Sequence, residues 1–214
     1  MNMIIIPVTS FQQNCTLLCC EQSGKAAVTD PGGEVDRIVQ TANANNTEIE
    51  KILITHAHVD HTGAVAELAR RLTIPIEGPH KDDQFWIDLI AQEGANFGFS
   101  EVESFKPDRW LEQGDTVEFG EVELEVYHCP GHTPGHVVFF YLELRLAIVG
   151  DVLFQGSIGR TDLPRGDRAA LIDSIKKRLW PLGDDVQFLP GHGPTSTFGQ
   201  ERKTNPFVGD HISS

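Results

Sequence analysis

Apolar residues come in short runs separated by turn-forming residues. Residues 3–6, 16–20 and 26–29 are apolar runs of strand length. Ser23-Gly24 between the second and third predicts a hairpin. Asp30-Pro31-Gly32-Gly33 reads as a turn, after which Val35, Ile38, Val39 and Ala42 recur at helical spacing. Residues 49–55 form the next strand, and 63–71 carry a small-residue helical pattern. Pro75 and Pro79 punctuate a short extended piece. Residues 81–92 read as a helix with Phe85, Ile87, Leu89 and Ile90 as candidate buried positions, and 94–107 as an irregular loop. The second half restarts with strands at 116–119, 122–127, 137–142 and 146–149. A loop over 151–167, a helix over 168–180 stopped by Pro181 and Gly183, and a strand at 187–189 follow. One more helix is expected from Thr197, with a loose end from Gly209. No fixed-period repeat is present. Each half begins with strands and ends with helix, which suggests two similar layers packed together.

Composition narrows this picture without changing it. A chain of 214 residues suits one domain spanning 1–214. Apolar residues make up 40% and charged residues 22%, an ordinary globular balance. The net charge of −14 argues against a nucleic-acid surface and against docking on an anionic membrane. No run approaches the roughly 20 apolar residues of a membrane span, and the first residues carry no basic leader. Cys15, Cys19, Cys20 and Cys129 form no Cys-x-x-Cys pair. Free thiols in a reducing, cytoplasmic setting are the simplest expectation. The expected partner is a small molecule. Oligomeric state is left open, a monomer being compatible.

The chemistry concentrates in His56-Ala57-His58-Val59-Asp60-His61, at the end of an apolar strand and before a helix. In extended chain His56 and His58 project to one side and can grip one ion. Asp60 and His61 are adjacent, so they are better placed to serve a second. Neutral imidazole and carboxylate suit zinc, and also iron or manganese. Three further apolar strands run into candidate ligands: 124–127 into the segment holding His132, 147–150 into Asp151, and 187–191 into His192. Open sheets collect their sites at one edge, beyond the strand ends. Gly131, Gly150, Gly191 and Gly193 let the backbone turn tightly there. No nucleophile elbow, Walker loop or dinucleotide fingerprint is present.

His-x-His-x-Asp-His followed by isolated His, Asp and His resembles the metallo-β-lactamase superfamily. Within it, the chain looks most like the short bacterial type II glyoxalase II enzymes, the hydroxyacylglutathione hydrolases. The similarity runs over nearly the whole chain and includes Asp30-Pro31-Gly32-Gly33, Cys129-Pro130-Gly131-His132-Thr133-Pro134-Gly135-His136 and Gly150-Asp151-Val152-Leu153-Phe154. The resemblance implies an α/β (α+β) fold, a four-layer αββα sandwich. It implies two divalent metal ions, zinc foremost: His56, His58 and His132 on one, Asp60, His61 and His192 on the other, and Asp151 bridging. Asp30 would support the metal loop from behind, and Arg160 would hold a glutathione carboxylate. The implied reaction is hydrolysis of S-D-lactoylglutathione to D-lactate and glutathione by a metal-bridging hydroxide, with Asp60 and Asp151 as its catalytic carboxylates. Two metals about 3.5–4 Å apart can generate a hydroxide and polarise a carbonyl, and a thiolate leaves without a general acid. Long glyoxalase II enzymes add a C-terminal helical domain, whereas here 22 residues follow His192. The alternatives are a mononuclear-iron glutathione persulfide dioxygenase of the same fold, another metallo-hydrolase, and a non-enzymatic metal-binding module. The dioxygenases tend to carry cysteine where His136 stands. His136 is expected to hydrogen-bond near the pocket, His80 and His128 to be structural or exposed, and Cys129 to be a buried thiol.

Overall fold

A computed structural model describes residues 1–99 and 101–212. Strand β1 (Asn2–Val8) folds back on β2 (Gln13–Cys19), and β2 on β3 (Lys25–Thr29) through the Ser23-Gly24 turn. Helix α1 (Val35–Ala44) carries the chain to β4 (Glu48–Leu53), which pairs parallel to β3. Helices α2 (Val59–Thr62) and α3 (Val65–Leu72) lead to β5 (Ile76–Glu77), parallel to β4. These five strands lie side by side in chain order. After helix α4 (Gln84–Phe97), β6 (Thr116–Phe119), β7 (Val122–His128), β8 (Val137–Tyr141) and β9 (Leu146–Gly150) form an antiparallel meander. A hairpin of β10 (Leu153–Phe154) and β11 (Ser157–Ile158) and helix α5 (Arg168–Ser174) follow. Strand β12 (Gln187–Pro190) then returns parallel to β9, β13 (Ser196–Thr197) closes the edge, and α6 (Phe198–Thr204) packs behind.

The buried side chains sort into three layers, which explains the apolar runs. Strand β8 is buried along its whole length. Val137, Phe139 and Tyr141 face the first sheet, where they meet Leu18, Ala27 and Leu53. Val138 and Phe140 face the other way, onto Leu171, Ile175 and Leu179. A strand covered on both faces reads as a continuous apolar run. The outer face of the first sheet is covered by Val35, Ile38 and Ala42 of α1 and by Val65 and Leu68 of α3. The order helix, sheet, sheet, helix is the expected αββα sandwich.

Four local expectations need correction. Helix α4 buries Trp86, Ile87, Ile90 and Gly94, while Leu89 is exposed and Phe85 only half-buried. The helix also runs on to Phe97, because Gly94 lies against Val102 and keeps the helix close-packed instead of ending it. The segment 151–167 contains the β10–β11 hairpin, and the helix after it changes at Ile175 into a π-helical turn, then a short 3-10 turn from Trp180. The chain from Gly209 to Ile212 is tied down: Asp210 donates its N–H to the Arg202 carbonyl, and its carboxylate pairs with the Arg202 guanidinium. Residues 213–214 lie outside the described part.

Phe139 is fully buried where the two sheets meet. Phe139→Ala should cost about 3–5 kcal/mol, seen as a lower urea midpoint with an unchanged slope. A loss below about 1 kcal/mol would place this side chain outside a close-packed core.

Candidate metal centre

Strands β4, β7, β9 and β12 all deliver their C-terminal ends to one edge of the sandwich. Beyond β4 the chain bends at Thr55, reaches His58 in an extended conformation (φ −69°, ψ 149°), then turns into α2. This puts His56 and His58 on the segment between strand and helix, and Asp60 and His61 on the first helical turn. His132 comes from the β7–β8 loop, Asp151 directly follows β9, and His192 follows β12.

The side chains form two sets. Ligand atoms of His56, His58 and His132 lie within 4.8 Å of one another, and so do those of Asp60, His61 and His192. Asp151 stands between the sets. Its Oδ1 is 3.3 Å from His61 Nε2, and its Oδ2 is 3.7 Å from His132 Nε2 and 3.8 Å from His192 Nε2. Asp60 Oδ2 is 3.1 Å from His192 Nε2. Close approach is possible because position 191 is glycine: a Cβ there would lie 2.1 Å from Asp151 Oδ1.

Hydrogen bonds on the far side of each ring set which nitrogen faces inward. His61 Nδ1 lies 3.0 Å from Asp30 Oδ2, His132 Nδ1 lies 2.8 Å from the Arg160 carbonyl, and His192 Nδ1 lies 3.1 Å from the Phe11 carbonyl. His56 Nδ1 lies 3.1 Å from Thr55 Oγ1, whose own hydrogen goes to Asp30 Oδ2 at 2.6 Å. In this network each Nδ1 is the donor, which leaves Nε2 as a lone pair. His58 presents Nδ1 instead, 2.9 Å from His132 Nε2. Among the described residues, buried His56 Nε2, His61 Nε2 and Asp151 Oδ1 have no hydrogen-bond partner. Buried acceptors without donors are costly, and a divalent cation would satisfy them.

Charge points the same way. Burial, reinforced by neighbouring imidazoles, pushes the His56 and His58 pKa values well below the usual histidine range, so both are neutral. Burial would raise Asp151, but His61, His132 and His192 outweigh it and keep the carboxylate ionised. Burial would lower His61, but Asp151, Asp60 and Asp30 draw its pKa up. Neutral His56 and His58 beside an ionised Asp151 are donors for a cation, and the positive charge that the carboxylates draw onto His61 is charge that a metal ion would supply in its place.

The remaining candidates separate clearly. Asp30, at φ 48°, accepts the Thr55 N–H at 2.8 Å as well as the bonds above, so it supports the ligand loop from behind. His136 accepts the Asp151 N–H on Nε2 at 3.1 Å and stacks on His56, beside the ligands rather than among them. His80 and His128 stack on each other elsewhere, with both His80 nitrogens hydrogen-bonded. Cys129 is a buried thiol pushed up to about 12 by burial. Arg160 lines the pocket above the ligands, and its guanidinium is paired in bidentate fashion with Asp162 at 2.7 Å.

Two positioning residues carry no sequence signal. Asp83 is fully buried and accepts three bonds: from Ala57 N–H at 3.0 Å, Thr133 hydroxyl at 2.8 Å and Gly135 N–H at 2.6 Å. One carboxylate thus ties the His56–His58 segment to the His132 loop. In Lys81-Asp82-Asp83 it looks like an exposed helix start. Asn14 clasps the His192 loop, donating its backbone N–H to the Gly191 carbonyl at 2.7 Å and its side-chain amide to the Pro190 and Gly193 carbonyls at 3.0 and 2.9 Å.

Asp83→Ala should weaken metal binding by about 10–100-fold, measured by competition with a chelator. Unchanged affinity would show that the loops hold their spacing without it. Burial pushes the Asp83 carboxyl up to about 6, against the pull of its three donors. Its unfolded value is about 3.9, so the folded state binds the extra proton between about pH 4 and 6. Stability contributed by this group is therefore present below about pH 4 and falls as pH rises through about 6. Asp83→Asn should flatten that slope in urea titrations, and an identical slope would assign it elsewhere.

The sequence model of the metallo-β-lactamase superfamily matches residues 8–196. Hydroxyacylglutathione hydrolase GloC of Haemophilus influenzae is 44% identical over 209 residues, 97% of this chain and 98% of that protein. The crystal structure of BLEG-1 B3 metallo-β-lactamase superposes with a TM-score of 0.88 at 34% identity, covering 97% of this chain and 99% of that one. TTHA1623, solved in a di-iron-bound form, superposes with a TM-score of 0.87 at 36% identity, covering 95% and 99%. Paired histidine sets at the strand edge, this fold and these relatives agree: the chain is a metallo-hydrolase and belongs to the metallo-β-lactamase superfamily.

Proposed function

We propose that the protein hydrolyses glutathione thioesters of hydroxy acids, with S-D-lactoylglutathione as the reference substrate. The observation that carries this reading is the pair of ligand sets with Asp151 between them. His56, His58 and His132 would hold one divalent ion and Asp60, His61 and His192 a second, with Asp151 shared. Zinc suits these donors best, and iron or manganese also fit. Bound there, such ions lower the pKa of a water to near neutrality and polarise a carbonyl.

The chain's own residues supply the rest. Asp60 and Asp151 offset cationic charge and accept hydrogen bonds from the attacking water, fixing its direction. Oxygen adds to the thioester carbonyl carbon, the C–S bond breaks, and the sulfur leaves as thiolate. That leaving group needs no general acid. Arg160 would take a glutathione carboxylate, which replaces Asp162 on the guanidinium. The relative named as a hydroxyacylglutathione hydrolase supports the substrate class. The second ligand set favours hydrolysis over oxygen chemistry, because a mononuclear dioxygenase has no evident use for it. The four free, buried thiols suit a reducing compartment, so we place the enzyme in the cytoplasm.

Purified protein should convert S-D-lactoylglutathione to D-lactate and free thiol without consuming oxygen. Chelation should abolish turnover and lower Tm, since ligand binding to the native state alone stabilises it. Oxygen uptake with glutathione persulfide, and a thioester rate equal to that of His58→Ala, would overturn the assignment. Arg160→Ala should raise KM much more than it lowers kcat, the mark of lost uniform binding. An unchanged KM would remove Arg160 from the substrate site.

A further inference from the structure

Above the ligands, the walls of the 250 Å³ catalytic pocket are largely apolar: Phe11, Val59, Trp86, Phe97 and Leu163. Two of these are among the few large apolar side chains left exposed, Phe11 at 44% and Phe97 at 51%. An exposed aromatic forgoes the stabilisation of burial, so a cluster of them at a pocket mouth marks a binding surface. The cluster is ordered. Phe11 packs edge-on against Phe97, with ring centroids 6.1 Å apart, and stacks on Phe99 at 5.9 Å. It is also registered to the metal centre, since the Phe11 carbonyl holds His192 Nδ1. Trp86 is buried and lies edge-on to His58 at 4.6 Å.

The charged groups of the walls do not compete for an apolar ligand. Arg160 is already paired with Asp162, and Glu93 accepts a hydrogen bond from the Asn96 side-chain amide at 3.3 Å. A lactoyl group, three carbons with a hydroxyl, is too small to cover all of these rings.

We propose that Phe11, Phe97 and Trp86 form an acyl subsite, and that the substrates are thioesters whose acyl group carries an apolar arm, alkyl or aryl. This rests on the thioesterase reading and names the substrate class of the same centre. The hydrolytic step is unchanged: water and thioester give carboxylic acid and thiol. The arm lies against Phe97 and Phe11 while the carbonyl sits over Asp60 and Asp151. Its contribution is burial of apolar surface, which one methylene or ring can turn into a tenfold or larger preference.

Two measurements test this. In the first, S-lactoylglutathione and S-mandeloylglutathione are compared. They share the α-hydroxyl and the thioester and differ in a methyl against a phenyl group. After correction for their rates of alkaline hydrolysis, kcat/KM should favour the mandeloyl ester by about tenfold or more. Phe97→Ala and Phe11→Ala should each bring the ratio towards one, while Leu144→Ala, an exposed residue on the β8–β9 turn, should keep it. In the second, binding of S-hexylglutathione and S-methylglutathione, which have no scissile acyl bond, is measured by calorimetry. The hexyl compound should bind about tenfold tighter or more, and Phe97→Ala should abolish the difference. Turnover of both thioesters at equal efficiency, with hexyl and methyl bound alike, would overturn the subsite and leave the reaction standing. A Phe97-dependent hexyl preference without turnover of either ester would keep the subsite and overturn the thioesterase reading.

Discussion

Asp151 is a buried carboxylate held between two sets of imidazoles, and much of the structure follows from keeping it there. An ionised carboxyl removed from water is costly unless positive charge or donors surround it. Strand β9 carries it from the centre of the second sheet, where both faces are buried, so its position is set by the core. His136 fixes its backbone N–H, and glycine at 191 leaves room for its Oδ1. The parallel pairing of β12 with β9 brings His192 to the same edge, and the parallel pairing of β4 with β3 brings the opening histidines. Sheet topology and metal chemistry are therefore one constraint.

Second contacts turn proximity into a usable site. Asp30 directs His61 and, through Thr55, His56. Backbone carbonyls of Arg160 and Phe11 direct His132 and His192. Asp83 and Asn14 hold the loops from which these ligands project. Each arrangement buries polar groups that contribute little to stability alone, since a hydrogen bond nets about 1 kcal/mol and a buried charge costs more. Three apolar layers offset that cost, two beneath helices and one between the sheets.

The candidate ligands are legible in the sequence because each lies next to a strong local signal. His56 and His58 follow an apolar strand at a spacing of two, and His132, Asp151 and His192 each end another strand beside glycine. Asp83 gave no such signal, because its partners Ala57, Thr133 and Gly135 are distant in sequence and only the fold brings them together. The β10–β11 hairpin has two residues per strand, too few for alternation to show. Helix α4 runs on past Gln92 through a glycine, a poor helix former, because Gly94 is a packing contact with Val102. That extension matters, since it delivers Phe97 to the pocket. The buried stripe of α4 takes Trp86 and leaves Leu89 in solvent, a choice that periodicity alone does not make and that is set by which face meets Ala57, Phe105 and Leu163.

The central claim is that Asp151 joins two metal positions. Metal content per chain, measured after loading and gel filtration for the wild type and for His192→Ala, addresses it most directly. The account predicts two ions per wild-type chain and one in the variant, with the ion on His56, His58 and His132 retained. One ion in both proteins would contradict it.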